Sequence, residues 1–474
     1  MKQIFIKQVD KFFQLRKHNL VIQVVFGLCM LFFISGCENF LEIDPPQSQV
    51  IGELVFNEKN LADAALAGVY LSVRNNFLSA RVISTYMGVY ADELDYVGSQ
   101  AFIWDPFVYN NVLPTTPDIS YWSNGYNIIY NINSILEGLE NSSKLNVEDK
   151  NQIKGEALFL RACVHFYLVN LYGEIPFITA TDYNINSKVA RMPVQVVYDS
   201  IISDLNEAKE LLPENYITNE RIRANKSVAS ALLSRVYLYT QEWEKAELES
   251  TALINTGTFD MEEDLSKLFL KESTSVIWNL KTYPDTNSHD GSTFYVASAS
   301  SLNFKGIFLS KHIVDAFESG DKRRSIWVKS GILTNGKTVY YSSKYRETRR
   351  TTPSKEYSVI FRIEEQYLIR AEARAHIGNI IGAQQDLNII RNRADLGDTA
   401  AATLNDLLEA VLQERKVELF LELSHRWFDL KRMGYADAVL DPIKSGWDPT
   451  DILLPIPESE ILLNPNLLPQ NPGY

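Results

Sequence analysis

Residues 155–172 narrow the possible folds more than any other stretch of the chain. At 100° per residue their polar members, Glu156, Arg161, His165 and Asn170, share no single face. A helix that is apolar nearly all round is buried nearly all round, so this segment is expected inside a core. Buried charges need partners, and Arg161 and His165 therefore read as core groups paired to neighbours rather than as catalysts. Cys163, beside Phe159 and Phe166, reads as an inert buried thiol.

Helical spacing recurs over residues 58–76, 122–140, 148–172, 194–211, 225–240, 243–256, 363–378, 380–394 and 403–424. It fails between about 95 and 120 and between about 257 and 362, where Ser, Thr, Tyr, Asn, Asp and Gly accumulate. Long loops with a few short strands are predicted there. Two helix pairs carry the rhythm of a tetratricopeptide hairpin, an aromatic, a small residue and an alanine at fixed offsets. Residues 230–256 supply Leu233, Ser234, Tyr237 and Ala246, with Ser250 where a large aromatic is expected. Residues 367–394 supply Tyr367, Ala371, Ala383 and Leu387, with Arg374 in place of a tyrosine. The predicted fold is mostly α: a tetratricopeptide-like scaffold of helical hairpins with irregular, loop-rich insertions carrying short strands.

The N-terminus points to export. Lys2, Lys7, Lys11, Arg16 and Lys17 precede an apolar stretch from Leu20 to Ile34, interrupted only by Gln23, which is too short to span a bilayer. It ends Ile34-Ser35-Gly36-Cys37, the pattern of a bacterial lipobox, so residues 1–36 read as a signal peptide and Cys37 as the lipid-bearing first residue of the mature chain. Pro45 and Pro46 keep the following segment extended. Cys29 would leave with the leader, and Cys163 alone cannot form a disulfide framework, so stability must come from the core. The chain has 46 basic and 59 acidic residues. Losing the leader would remove five of the basic and one of the acidic residues, and a surface this acidic repels nucleic acid and anionic head groups.

Five segments, in order, resemble the SusD/RagB family of outer-membrane nutrient-binding lipoproteins. They are GEALFLRA (155–162) with LYGEIP (171–176), FRI (361–363) with YLIRAEA (367–373), LNIIRNRA (387–394), ERKVEL (414–419) with RWFDLKR (426–432), and LPIP (454–457) with the terminal QNPGY (470–474). With the lipobox and tether they cover essentially the whole mature chain, read as an N-terminal SusD-like region, 37–220, and a C-terminal RagB/SusD region, 221–474, in one globular unit. The resemblance implies four tetratricopeptide-like hairpins, a SusC-like TonB-dependent transporter as partner, and an oligosaccharide or other nutrient as cargo. It implies outer-membrane localisation, although only Glu38 stands directly behind Cys37, where surface-displayed lipoproteins of this kind carry several acidic residues.

The family-like segments read as scaffold. Asp429 and Arg432, and likewise Arg415 and Glu418, lie three apart on helices, the spacing of structural ion pairs; with Glu414 and Arg426 they are expected to hold the fold together. No His-Glu-x-x-His, paired cysteines, nucleophile elbow or phosphate-cradling loop occurs, so neither metal, cofactor nor catalytic residues are assigned. A sugar would need flat aromatic faces for its C–H groups and partners for its hydroxyls, on loops carried by the scaffold. Asp92, Tyr96, Trp104 and Tyr109 form the first candidate ligand-binding group, and Tyr283, Asn287, Asp290 and Tyr295, with Phe294, the second. Trp122, opening a helix, reads as core. Two alternatives compete with glycan capture: an exported helical glycoside hydrolase, since paired carboxylates need only meet in space, and a repeat scaffold that binds only proteins.

Overall fold

The computed structural model describes residues 55–98, 100–116 and 121–474; the leader, Cys37 and the proline tether lie outside them. The helix that organises the rest is α5, Val147–Tyr172, in which every residue from Gly155 to Tyr172 is buried. Asn146 caps its start by accepting from the Asp149 N–H at 2.8 Å, and Gly173, at φ +74°, ends it in a conformation other residues rarely adopt.

Around α5 the helices follow one another as neighbours. They are α1 (Lys59–Asn76), α2 (Thr85–Tyr90), α3 (Ala101–Val108), α4 (Tyr121–Asn141), α6 (Val194–Leu211), α7 (Lys226–Tyr239), α8 (Trp243–Ile254), α9 (His289–Phe294), α10 (Ile363–His376), α11 (Ile380–Arg393), α12 (Leu404–Glu418) and α13 (His425–Arg432). Packing runs α4 on α5, α5 on α6, α6 on α7, α7 on α8, α8 on α10 and α10 on α11. The pairs α7–α8 and α10–α11 are the two hairpins expected from their repeat rhythm. Where a tyrosine was expected, Arg374 instead bonds Asp386 at 2.9 Å and Glu247 at 3.1 Å, joining the two hairpins by charge.

The loop-rich insertions carry two small antiparallel sheets. Strands β1 (Leu94–Tyr96), β3 (Ile307–Leu309), β4 (Val328–Ile332) and β5 (Thr338–Ser342) form one in the order β1-β3-β5-β4, and β2 (Val276–Leu280) pairs with β6 (Ser358–Arg362) in the other. Val55–Tyr474 forms one compact unit.

The buried Arg161 and His165 of α5 have partners, as expected. Arg161 forks onto Asp204 of α6 at 2.8 and 2.7 Å and reaches Asn133 of α4 at 3.0 Å, so one guanidinium ties three helices. His165 Nδ1 meets the Arg161 carbonyl at 2.9 Å and its ring stacks on Phe177; burial pushes its pKa down to about 3, leaving it neutral. Burial pushes the Cys163 thiol up to about 12, which makes it unreactive.

Two expectations need correction. The 403–424 helix stops at Glu418, because Leu421, Leu423 and Ser424 take positive φ. That turn is held from outside: Leu421 N–H donates to Glu93, Leu423 N–H to Ser84 Oγ, and the buried Lys344 amine bonds the Glu418 and Phe420 carbonyls. Within it, Arg415 does not pair with Glu418. It bonds Asp429 at 2.7 Å, and Glu418 takes Arg362 at 2.7 Å, Arg393 at 2.5 Å and Arg323 at 2.8 Å. The Asp429–Arg432 pair forms as expected, at 2.8 Å.

Candidate functional site

Tyr96 ends β1, and Trp104 stands on α3. The Trp104 ring lies 5.1 Å from Tyr86 of α2 at an interplanar angle of 23° and 5.3 Å from Tyr96 at 24°. Tyr86 also packs on Phe107 of α3, at 4.6 Å. Three near-parallel rings from three elements hold one another in place, adding about 0.5–1.5 kcal/mol per pair beyond burial.

Two glycines make room for this stack. A Cβ on Gly98 would stand 2.4 Å from the Tyr96 hydroxyl oxygen, and one on Gly306 would stand 2.9 Å from a Tyr96 ring carbon. The hydroxyl accepts the Gln100 N–H at 2.6 Å, which fixes the ring along its length. The β1–β3 ladder and the Val97 N–H to Gly306 carbonyl bond, 2.7 Å, bring residues 303–307 alongside. The result is an open cleft of about 700 Å³ with Tyr96 and Trp104 in its wall and Gln100, Asn303 and Phe304 beside them. Phe304 is 91% exposed. Its loop is anchored by Lys305, whose amine bonds the Thr293 carbonyl at 2.9 Å, and by Asn303 Oδ1, which accepts from the Thr334 N–H at 3.0 Å. Apolar ring faces next to amide donors and acceptors match a ligand with C–H faces and a rim of hydroxyls.

Of the first candidate group, Tyr96 and Trp104 are brought together here. Tyr109 is half exposed but lines a separate pocket with Asp95, His312 and Lys444. Asp92 is a correction: it is 3% exposed, its oxygens bond Arg426 at 2.8 and 2.9 Å and Lys416 at 3.0 Å, and nothing is left for a ligand. Burial opposes its charge, yet these two cations hold its carboxyl well below the usual range. Neighbouring Glu93 is buried without such a cation, and its pKa is pushed up to about 7 by burial, against the single N–H bond from Leu421.

The second group is not assembled into a site. Asn287 is buried with its amide saturated, donating to the Arg349 carbonyl and Thr351 Oγ1 and accepting from the Lys355 and Glu356 N–H groups. Asp290 turns inward to Ser358 Oγ at 3.1 Å, where burial raises its pKa. Asn287 and Asp290 are therefore loop clamps, and the loop itself contains α9, too short to register as a helical period. Tyr295 packs edge-on to Tyr341, and Tyr283 lies under the Arg74 guanidinium at 4.4 Å. Ala101–Val108 is likewise helical where a loop was expected, despite Pro106, and its Phe107 is buried. Trp122 is buried, as expected.

Sequence reasoning missed Tyr86, Gln100, Asn303 and Phe304. The available signal for Phe304 was an isolated aromatic before Lys305-Gly306 in a stretch without helical period. Among the described residues, no group of three or more His, Cys, Asp or Glu is placed to hold a metal ion, and no helix is long and apolar enough to cross a membrane.

A family model described as starch-binding and associating with the outer membrane matches residues 39–238, and the SusD family model matches residues 289–474. SusD-like protein P2 of Formosa agariphila is 26% identical, over 94% of this chain and 98% of its own length. A SusD superfamily protein from Bacteroides vulgatus superposes with a TM-score of 0.78 at 22% identity, covering 88% of this chain and 100% of that one. A laminarin-binding SusD-like protein gives a TM-score of 0.75 at 23% identity, with coverage of 88% and 100%.

Proposed function

This chain belongs to the SusD family, a family of carbohydrate-binding proteins associated with the outer membrane, and we propose on that premise that it captures an oligosaccharide in the Tyr96–Trp104–Phe304 cleft and passes it to a SusC-like TonB-dependent transporter. Cys37 would carry the lipid that holds it at the outer membrane, with the receptor facing outward. The observation that carries this reading is a largely exposed phenyl ring in one cleft with a locked aromatic stack, Gln100 and Asn303. A rigid wall suits capture because little ordering entropy is lost on binding.

The kinship with a laminarin-binding protein makes laminarin oligosaccharides the first probe, with starch oligosaccharides second. Isothermal titration is expected to show saturable binding to one of them that Phe304→Ala weakens, with no shortened products in chromatography of the mixture. Binding that survives Phe304→Ala and Trp104→Ala unchanged would remove the cleft from the reading; product formation would favour the glycosidase. Mass spectrometry of the native protein is expected to find acylated Cys37 at the N-terminus, and a TonB-dependent barrel is expected to co-purify from solubilised membranes.

A further inference from the structure

We infer that the chain has a second carbohydrate-binding cleft, built from α4, the 176–189 loop and the C-terminal helix α14 (Glu458–Leu463), which shares no residue with the first. The inference rests on the carbohydrate-binding reading for its ligand class and on an independent set of observations for its place.

The cleft encloses about 360 Å³, within the range of small-molecule sites. Trp122, Tyr126, Tyr130 and Tyr183 line it, at positions along α4 and the loop. Tyr130 and Tyr183 are 53% and 78% exposed, and neither hydroxyl has a partner among the described residues. Trp122 is only 3% exposed, yet its indole N–H has no partner among the described residues either. Asn127 and Glu460 add an amide and a carboxyl likewise without side-chain hydrogen bonds among those residues. Aromatic faces with polar tips, backed by an unengaged amide and carboxyl, are what a pyranose requires: C–H groups against rings, hydroxyls against donors and acceptors.

The walls are set in advance. The Tyr126 hydroxyl donates to the Pro176 carbonyl at 2.8 Å, Asn186 to the Ala180 carbonyl at 2.7 Å, and Asn464 and Asn466 to the Val189 and Lys188 carbonyls, each at 2.8 Å. Side chains from α4 and from the C-terminal segment thus pin the loop from two sides, and a ligand meets a shaped surface rather than one it must order. Leu463, 77% exposed, lines the same cleft as Tyr183 and adds an apolar edge to it.

The test is titration of the protein with laminarin and starch oligosaccharides long enough to offer several rings. Wild type is expected to show two binding events per chain; Phe304→Ala weakens the first and leaves the second, and Tyr130→Ala/Tyr183→Ala weakens the second and leaves the first. With both sets of substitutions combined, both events should weaken. The double tyrosine variant should weaken the second event at least tenfold, and Asn127→Ala about fivefold, without lowering the unfolding midpoint, since these side chains are exposed or unbonded. A single event in wild type, weakened by Phe304→Ala and untouched by the tyrosine changes, overturns the second cleft and leaves the first standing. Absence of any binding in wild type overturns both.

Discussion

Glu418 and Phe304 stand at opposite extremes of this molecule. Around Glu418, Arg323, Arg362 and Arg393 meet one carboxylate, and the same arginines reach Asp321, Glu414, Glu422 and Glu364; all are buried. Around Phe304 there are rings, amides and solvent. Arg362, Arg393, Glu414 and Glu418 of the first region stand in the segments most like the family, FRI, LNIIRNRA and ERKVEL, joined by Asp321 and Arg323 from outside them, and its charges are consumed by one another. The second has no motif at all. Charged residues in the most recognisable parts of the chain thus act on the fold, while the proposed recognition surface is made of residues whose exposure only the fold decides.

The sharpest way to break that contrast is Glu418→Ala. Burial opposes the Glu418 charge, but Arg393, Arg362 and Arg323 together hold its pKa well below the usual range. Removing it leaves three buried guanidinium groups short of an anion, and a loss of about 3–5 kcal/mol is expected. Chemical denaturation measures it. Glycan affinity of the fraction that folds should match wild type; a variant with ordinary stability would mean that the seam is not what holds α10, α11 and α12 together.

A pH titration of stability probes the border between the two regions, where Glu93 lies next to the paired Asp92 and supports the Leu421 turn. Its folded pKa, about 7, lies above the ordinary carboxyl value, so the folded state favours the protonated form. The stability this gives is complete below about pH 4.5 and is lost as pH rises through about 7. Glu356, raised to about 7 by burial, acts in the same direction. Unfolding free energy measured from pH 5 to 8 should therefore carry a falling component that shrinks in Glu93→Gln and shrinks further when Glu356→Gln is added. An unchanged slope in the double variant would contradict the assignment.

On the other side of the comparison, Phe304→Ala is expected to cost about 1.5–2 kcal/mol of ligand binding, the scale of one apolar side chain covered by a partner, or roughly ten- to thirtyfold in Kd. Because the ring is 91% exposed, stability should change by less than about 0.5 kcal/mol. Titration and a thermal melt together check both halves; a destabilised variant with unaltered affinity would reverse the roles assigned to the two regions.

The long helices could be read directly because period and caps agree: α5 declares its burial by having no polar face, and Asn146 marks its start. The end of α12 could not, since Leu419, Phe420, Leu421 and Leu423 continue the apolar character of the helix and the turn is imposed by Ser84, Glu93 and Lys344 from distant parts of the chain. The site divides in the same way. Tyr96 and Trp104 were legible as aromatics in a stretch without helical period, but that rule also selected Asp92. Nothing local distinguishes a carboxylate facing solvent from one claimed by Arg426, 334 residues away. Phe304 was missed because a lone aromatic carries no pattern; its value comes from β1 and β3 pairing beside it.

Gly306→Ala tests that dependence with the smallest expected effect. The added methyl would stand 2.9 Å from the Tyr96 ring, so the ring must tilt. It can do so only by straining the 2.6 Å bond from Gln100 and the stack on Trp104. Neither Phe304 nor the ionic seam is touched. A few-fold loss of affinity is expected, about 0.5–1 kcal/mol, smaller than for Phe304→Ala, with near-ultraviolet circular dichroism changed by the displaced tyrosine and tryptophan. If the dichroism moves and the affinity does not, the stack is merely support for the Phe304 loop. If both move together, the locked rings are part of the surface that meets the ligand.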